Sequence, residues 1–225
     1  MGSTEAEAAA LLMTIYRRLL ARFGPRHWWP GDTPFEVAVG AVLTQNTAWS
    51  NVERAIASLK RAGALSPRRI LGARHATLAR WIRPAGYFNV KARRLKAVVA
   101  WWQNRGRRNS VPSLSVLRRE LLAIHGVGPE TADSIALYAL NRPMFVVDTY
   151  TRRIFARHGW ASWRTSYEEL QQLFMTRLPR RVSLYNEYHA LIVELGKTTC
   201  RKRRPKCHEC PLRDLGVLTL EPGAS

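Results

Sequence analysis

A two-glycine segment in the middle of the chain has the composition of a backbone anion site. Gly126, Val127 and Gly128 are followed by Pro129, a residue favoured in the first turn of a helix. Glycine adopts backbone angles closed to other residues and lets a ligand approach the main chain closely. The free N–H groups at a helix start attract an anion such as a phosphate. Two glycines also make an ordinary turn between packed helices, so this segment alone does not decide between the two interpretations.

The net charge favours a polyanionic partner. The 225 residues include 36 Lys and Arg against 16 Asp and Glu, which gives a formal net charge of +20. Solubility does not need so large an excess, so we expect binding to DNA or RNA. A hydrophobic content of 46% excludes wholesale disorder, and no apolar run is long enough for a transmembrane helix. The N-terminus lacks the features of a secretory signal, so a cytoplasmic protein without a membrane partner is expected.

Hydrophobic periodicity predicts helices along almost the whole chain. Apolar positions repeat at helical spacing over 5–22, and Thr33-Pro34 has the pattern of a helix start before the apolar run 35–43. Further helices are predicted at 48–61, 66–72, 75–82, 89–105, 114–123, 129–140, 149–158, 166–178 and 183–197. The nearest approach to a strand is 144–147, which is short, so the predicted fold class is all-α.

Four ordered motifs resemble the endonuclease III superfamily of DNA glycosylases. The segment 126–153 resembles its helix-hairpin-helix followed by the Gly/Pro-Asp element. The segment 43–47 is similar to the DNA-wedging turn of the family, and 86–92 to the start of its long helix. The segment 196–200, with the cysteines after it, resembles the iron–sulfur loop. Because these matches run in order from about 28 to 210, they are far more specific than one hairpin.

The resemblance implies two helical lobes with a cleft between them that binds DNA. The first lobe is expected to comprise residues 31–142, with the wedge segment and the hairpin. The second would combine 1–30 with 143–216, and 217–225 would form a tail. Double-stranded DNA containing damaged bases is the implied partner, and a nucleoid-associated monomer is expected.

The resemblance assigns catalysis to Asp148, which lies just before a predicted helix. Breaking an N-glycosidic bond builds positive charge on the sugar, which a preorganised carboxylate stabilises while it activates water. An aspartate followed by threonine is also a common helix N-cap, and both roles can coexist. Strand-cleaving members carry a nucleophilic lysine where this chain has Glu130, which cannot form a Schiff base. We therefore expect hydrolysis by water; Glu130 is otherwise explained as a first-turn glutamate favoured by the helix dipole.

Aromatic residues predict a pocket for the flipped base. Trp28, Trp29 and Trp49 resemble the pocket of the 3-methyladenine DNA glycosylase III branch of the superfamily. An alkylated purine is cationic, so an aromatic face attracts it, although the same tryptophans could instead pack in the core. Gln45 is expected to fill the gap left by the flipped base, and Asn46 beside it is predicted to bind DNA. The alternative is that they only separate two helices.

Basic side chains are predicted to contact the DNA backbone, which would supply affinity and salt dependence. One group lies on the predicted long helix from Lys91 onward, and the other lies between two cysteines. The group between the cysteines could instead be only a solvated charge run. The residues predicted to bind DNA in this way are Lys91, Arg201, Lys202, Arg203 and Arg204, together with the backbone of Gly126, Val127 and Gly128.

Three cysteines near the C-terminal end could hold a metal. Cys200, Cys207 and Cys210 have the spacing Cys-x6-Cys-x2-Cys, and the position of the fourth family cysteine holds Gly216. A [4Fe–4S] cluster normally takes four thiolates, so the fourth site would fall to water, Asp214 or His208. A Cys3His zinc site and a loop without metal are the alternatives. Disulfides are not expected from an odd number of cysteines in a cytosolic protein.

Taken with the resemblance, these residues predict a base-excision-repair DNA glycosylase without lyase activity. Its expected substrate is an alkylated purine such as 3-methyladenine. One alternative is an endonuclease III-like enzyme for oxidised pyrimidines or mismatched bases. The other is a helix-hairpin-helix protein that binds DNA without catalysis.

Overall fold

The prediction of an all-α fold is confirmed. The computed structural model describes residues 2–28, 31–106 and 110–216, and in these ranges it contains eleven α-helices and no strand. The helices are α1 (Gly2–Phe23), α2 (Pro34–Leu43), α3 (Trp49–Arg61), α4 (Pro67–Gly72), α5 (His75–Trp81), α6 (Phe88–Arg105), α7 (Leu114–Leu122), α8 (Pro129–Ser134), α9 (Thr149–Arg157), α10 (Tyr167–Arg177) and α11 (Val182–Thr198). Within the described part of the chain, no helix is both long and apolar enough to span a membrane.

The chain divides into two compact units. One unit combines Met1–Trp28 with Pro143–Ser225, and the other is Trp29–Arg142. We call them the N/C unit and the middle unit. The middle unit holds α2 to α8, and the N/C unit holds α1 and α9 to α11.

Helix α2 is the central helix of the middle unit. The Thr33 side chain accepts a hydrogen bond from the Glu36 backbone N–H at 3.1 Å and so fixes the helix start. All residues from Glu36 to Leu43 are buried, as expected for a helix that is apolar on nearly every side. The buried Glu36 carboxylate is paired with the Lys60 ammonium at 2.8 Å, which offsets the cost of its burial.

An aromatic group forms the core of the N/C unit. The rings of Phe145 and Phe174 stack with centroids 3.8 Å apart, and Tyr185 and Tyr188 meet Phe145 edge-on. The Tyr188 hydroxyl donates to the Leu12 carbonyl at 2.8 Å, which ties α11 to α1. The segment 144–147, the nearest candidate for a strand, is a buried irregular stretch that leads directly into Asp148.

Lys91 is buried in the middle unit, which is at odds with the predicted contact between this lysine and the DNA backbone. Its side chain is 1% exposed, and its ammonium donates to the carbonyls of Leu43 at 2.8 Å and Ala85 at 2.7 Å. Leu43 is the last residue of α2, so the lysine compensates the negative end of that helix. Lys91 therefore supports the segment that follows α2 from inside the fold.

The stability of the protein should depend on the protonation of Lys91. Burial, followed by the nearby charge of Arg94, lowers the pKa of Lys91 from 10.5 to about 8. Between these two values the unfolded chain binds more protons than the folded chain, so the free energy of unfolding should rise with pH. We expect wild type to gain about 1–3 kcal/mol over Lys91→Met between pH 8 and 10 in urea unfolding. Parallel pH profiles for the two proteins would contradict this assignment.

Candidate active site and DNA-binding elements

Asp148 forms the N-cap of α9. Its Oδ1 accepts hydrogen bonds from the backbone N–H of Thr151 at 2.8 Å and from the Thr151 hydroxyl at 3.0 Å. In return, the backbone N–H of Asp148 points at the Thr151 hydroxyl at 3.5 Å, which completes a capping box. Oδ1 therefore caps the start of the helix, and this cap fixes the direction in which Oδ2 points.

The second oxygen of Asp148 faces a histidine on α11. The distance from Oδ2 to Nε2 of His189 is 3.4 Å, and both side chains are largely buried. Burial raises the pKa of Asp148, but the hydrogen bond and charge of His189 and the hydrogen bonds of Thr151 outweigh it, so the pKa lies below its usual value. The carboxylate is thus ionised at neutral pH, the form needed to stabilise a cationic sugar.

The pairing of His189 with Asp148 was not part of the sequence interpretation. The sequence interpretation placed His189 in a predicted helix and in a segment that resembles the 3-methyladenine DNA glycosylase III branch, but it did not indicate the pairing, because the two residues are far apart along the chain. The available signal was a polar residue within the apolar stretch of α11 from Leu184 to Leu195. A buried histidine of this kind requires a polar partner.

Of the three tryptophans predicted to line the base pocket, the structure describes Trp28 and Trp49, which belong to different units. The ring of Trp28 lies 6.2 Å from the His189 ring, and the Lys197 ammonium sits over it at 5.3 Å from the centroid. Trp29 lies outside the described residues. Trp49 belongs to the middle unit, where it begins α3 and donates its indole N–H to Glu53 at 3.0 Å. Within the N/C unit, Trp28 is therefore linked to Asp148 through His189.

The two glycines of the hairpin between α7 and α8 differ in their backbone conformation and in their surroundings. Gly126 has φ +81°, and a Cβ there would meet the Arg94 side chain at 2.5 Å, so this position needs glycine for the packing of the protein itself. Val127 is buried and anchors the turn. Gly128 is exposed, and a Cβ there would meet no atom within 4 Å, so its backbone is open to a ligand. Glu130 is exposed in the first turn of α8.

The side chain of Gln45 joins the predicted wedge segment to this hairpin. Its Nε2 donates to the Gly126 carbonyl at 3.1 Å and to the Thr131 hydroxyl at 3.0 Å, while its Oε1 accepts from Arg94 at 2.6 Å. The neighbouring Asn46 is exposed with φ +52°. A role of Gln45 inside the duplex stays a prediction, and it would require these three hydrogen bonds to be exchanged.

An exposed tyrosine precedes the long helix α6. Tyr87 is 71% exposed and has φ +44°, a left-handed conformation that is unfavourable for an aromatic residue. Gly86 before it also has positive φ. The sequence interpretation matched this segment to the family without assigning Tyr87 a role, although an aromatic side chain at a turn beside a glycine is a recognisable signal.

The basic loop Arg201–Arg204 is exposed, and its backbone is held from below. The guanidinium of the buried Arg157 donates to the carbonyls of Arg201 at 2.6 Å and Lys202 at 2.9 Å. The four cationic side chains are therefore displayed on an anchored backbone. This arrangement suits contact with a phosphate backbone.

The three cysteines line one small cavity of about 20 Å³. His158 lines the same cavity, and burial lowers the pKa of this histidine to about 4, so its ring is neutral. Burial also raises the pKa of Cys210, with contributions from the other two cysteines. Across the described ranges, no three potential ligands lie close enough together to share a single metal ion.

Comparison with known proteins identifies the family of this chain. Residues 39–180 match the family model described as HhH-GPD superfamily base excision DNA repair protein. The chain belongs to this superfamily. It is 46% identical over 209 residues to a protein of Methanocaldococcus jannaschii provisionally named a DNA repair glycosylase, covering 91% of this chain and 94% of that one. It is also 34% identical to endonuclease III of Sulfolobus acidocaldarius, with 80% of each chain covered.

Two solved structures are also similar to this chain. The Helicobacter pylori 3-methyladenine DNA glycosylase bound to 1,N6-ethenoadenine superposes with a TM-score of 0.71 at 28% identity, covering 84% of this chain and 97% of that one. A non-covalent endonuclease III–DNA complex superposes with a TM-score of 0.77 at 24% identity, covering 92% and 94%, which shows a shared fold. The protein is accordingly a DNA repair glycosylase of the HhH-GPD superfamily, and DNA is its partner.

The capping role of Asp148 can be separated from its charge. Asparagine retains a side-chain oxygen that accepts from the Thr151 N–H, whereas alanine does not. We expect Asp148→Ala to lower the free energy of unfolding by about 1 kcal/mol relative to Asp148→Asn in urea titration. Equal stability of the two variants would show that the cap contributes nothing.

Proposed function

We propose that this glycosylase hydrolyses the N-glycosidic bond of an alkylated purine, such as 3-methyladenine, without cleaving the DNA strand. The state of the Asp148 carboxylate carries the proposal. It is ionised, and its two oxygens face fixed partners, Thr151 and His189. Departure of the base leaves positive charge on the sugar, and a fixed anion stabilises that charge without reorganising. Asp148 would also orient the attacking water.

The absence of lyase activity is argued from Glu130. This exposed glutamate occupies the position of the family's nucleophilic lysine, and a carboxylate cannot form a Schiff base with the sugar. The buried Lys91 is not a substitute, because its ammonium is engaged by two backbone carbonyls inside the middle unit. Water remains the nucleophile that fits these residues.

The choice of an alkylated purine is supported by Trp28. Its ring lies 6.2 Å from the ring of His189, the partner of Asp148, and an indole face attracts a cationic base once the Lys197 ammonium over the ring has moved away. An N-alkylated purine carries a positive charge and leaves readily, so it needs no activation beyond the carboxylate. The match to a 3-methyladenine glycosylase bound to an ethenoadenine base points in the same direction.

Double-stranded DNA would be bound by groups from both units, with the protein acting as a monomer. In the middle unit the candidates are the open backbone at Gly128, the exposed Asn46 and the exposed Tyr87. In the N/C unit they are the cationic side chains of the loop Arg201–Arg204. Contacts to phosphates by these cations would make the affinity strongly dependent on salt.

A second candidate is the excision of oxidised pyrimidines or mismatched bases. It is favoured by the 34% identity to an endonuclease III over 80% of the chain. The same carboxylate chemistry would serve this substrate, so the two candidates differ in the pocket and not in Asp148. Assays of base release distinguish them directly.

Base release from methylated duplex DNA tests the substrate. We expect free methylpurine in the supernatant and strand breaks only after treatment with hot alkali. Asp148→Asn should retain binding to the same duplex while release slows by about a hundredfold or more, because a neutral amide cannot stabilise the cationic sugar. Release of oxidised pyrimidines instead of methylpurines would favour the second candidate. Release by Asp148→Asn at the wild-type rate would refute the catalytic assignment.

Borohydride trapping tests the nucleophile independently of the base. A Schiff base formed by an amine is reduced to a stable covalent complex, whereas hydrolysis by water leaves nothing to trap. We expect no covalent complex between the wild-type protein and damaged duplex DNA on a denaturing gel. A lysine-dependent endonuclease III serves as the positive control. A trapped complex would show that an amine of this chain attacks the sugar.

A further inference from the structure

The three cysteines form an incomplete ligand set. Cys200 and Cys210 are buried, Cys207 is partly exposed, and all three line the cavity beside Arg157 and His158. A cubane iron–sulfur cluster requires four ligands, and it is wider than a single ion. The three thiols therefore leave one iron of such a cluster without a cysteine ligand.

Two nearby candidates for the fourth ligand are engaged elsewhere. The Asp214 carboxylate makes a two-pronged ion pair with Arg18, with contacts of 2.5 and 3.0 Å. The His208 ring is 80% exposed, does not line the cavity, and lies 3.4 Å from the Glu209 carboxylate. Both side chains therefore already have a charged partner outside the group of cysteines.

The position of the fourth family cysteine is also closed to a side chain. A Cβ at Gly216 would collide with the His158 carbonyl oxygen and would lie 2.7 Å from the indole nitrogen of Trp160. The Trp160 indole is itself fixed by its hydrogen bond to the Leu215 carbonyl at 3.1 Å. A cysteine at residue 216 would therefore require the backbone around it to move.

The His158 ring occupies the space that faces the cysteines. It stacks on Trp160 with ring centroids 4.5 Å apart, and its Nε2 lies 3.8 Å from the Sγ of Cys210. The side chain is 3% exposed, and its Nδ1 has no hydrogen-bond partner among the described residues. A buried imidazole with so few polar contacts is costly unless another group uses it.

We propose that His158 is the fourth ligand of an iron–sulfur cluster held by Cys200, Cys207 and Cys210. The four side chains line one cavity, and imidazole ligates iron in Rieske [2Fe–2S] centres, so a histidine can take the place of a cysteine at an iron–sulfur cluster. The cluster would supply structural cross-linking between the end of α9 and the loop after α11. Its role does not depend on which base the enzyme removes.

The ligand set has an electrostatic consequence. A neutral imidazole in place of a thiolate removes one negative charge from the cluster, and such replacement raises the reduction potential. The guanidinium of Arg157, 3.6 Å from the Cys200 sulfur, acts in the same direction because a nearby cation stabilises the reduced form. The His158→Cys variant should therefore hold a cluster with a lower reduction potential than wild type.

The experiment compares iron and sulfide content after anaerobic purification and reconstitution with ferrous iron and sulfide. Wild type should bind a cluster with the visible absorption of thiolate-bound iron. His158→Ala should lose iron by about tenfold or more, because even residues that only support a metal ligand change affinity by that amount. His158→Cys should restore the cluster, which separates ligation from misfolding. His208→Ala is the matched control for a neighbouring histidine and should retain wild-type iron.

Two further measurements test direct ligation. Labelling histidines with nitrogen-15 should change the hyperfine couplings in the spectrum of the reduced wild-type cluster but not in that of His158→Cys. Adding Gly216→Cys to His158→Ala should not restore iron, since the His158 carbonyl still blocks residue 216. The proposal is overturned if wild type binds no iron, binds zinc alone, or retains its cluster when His158 is replaced by alanine.

Discussion

The packing of α9 against α11 is the constraint on which the N/C unit depends. The contact has no spare room, because a Cβ on Gly196 would overlap the ring of Tyr150. Farther along, the Arg153 guanidinium donates to the carbonyls of Gly196 at 3.0 Å and Cys200 at 2.9 Å. One end of this pair holds Asp148 against His189, and the other holds His158 beside the cysteines. The reactive carboxylate and the cysteine cavity therefore share a single rigid support.

The middle unit uses internal polar contacts for a similar purpose. Gln45 and Arg94 join the segment after α2 to the hairpin, and Lys91 joins the end of α2 to the turn before α6. Such buried polar contacts fix geometry more than they add stability, since each must repay the loss of water. In this strongly basic protein, Lys91 and Arg94 use their charges in contacts within the fold. A positive net charge thus does not identify which cations face the ligand.

Much of the fold and part of the site follow from the sequence. Helical periodicity, the Thr33-Pro34 start and the capping pattern of Asp148 are local signals, and the helices form where those signals occur. The burial of Lys91 could not be inferred in this way, because it depends on two carbonyls brought together by the tertiary fold. The same holds for His189, whose partner is remote in the chain. Local sequence patterns thus predicted where helices form and which residues cap them. Tertiary packing determined which side chains contact each other.

The basic loop shows why a weaker fourth ligand is tolerable here. The Arg157 guanidinium donates to the carbonyls of Arg201 and Lys202, so the first half of the loop has hydrogen bonds of its own that support its conformation. The segment around Cys207 and Cys210 has a short 3-10 turn, Cys207–Glu209, and would gain most from cross-linking. A cluster with one histidine ligand would then have only this part of the loop to stabilise. The weaker binding expected of an imidazole compared with a thiolate is therefore tolerated, because arginine side chains already stabilise the loop.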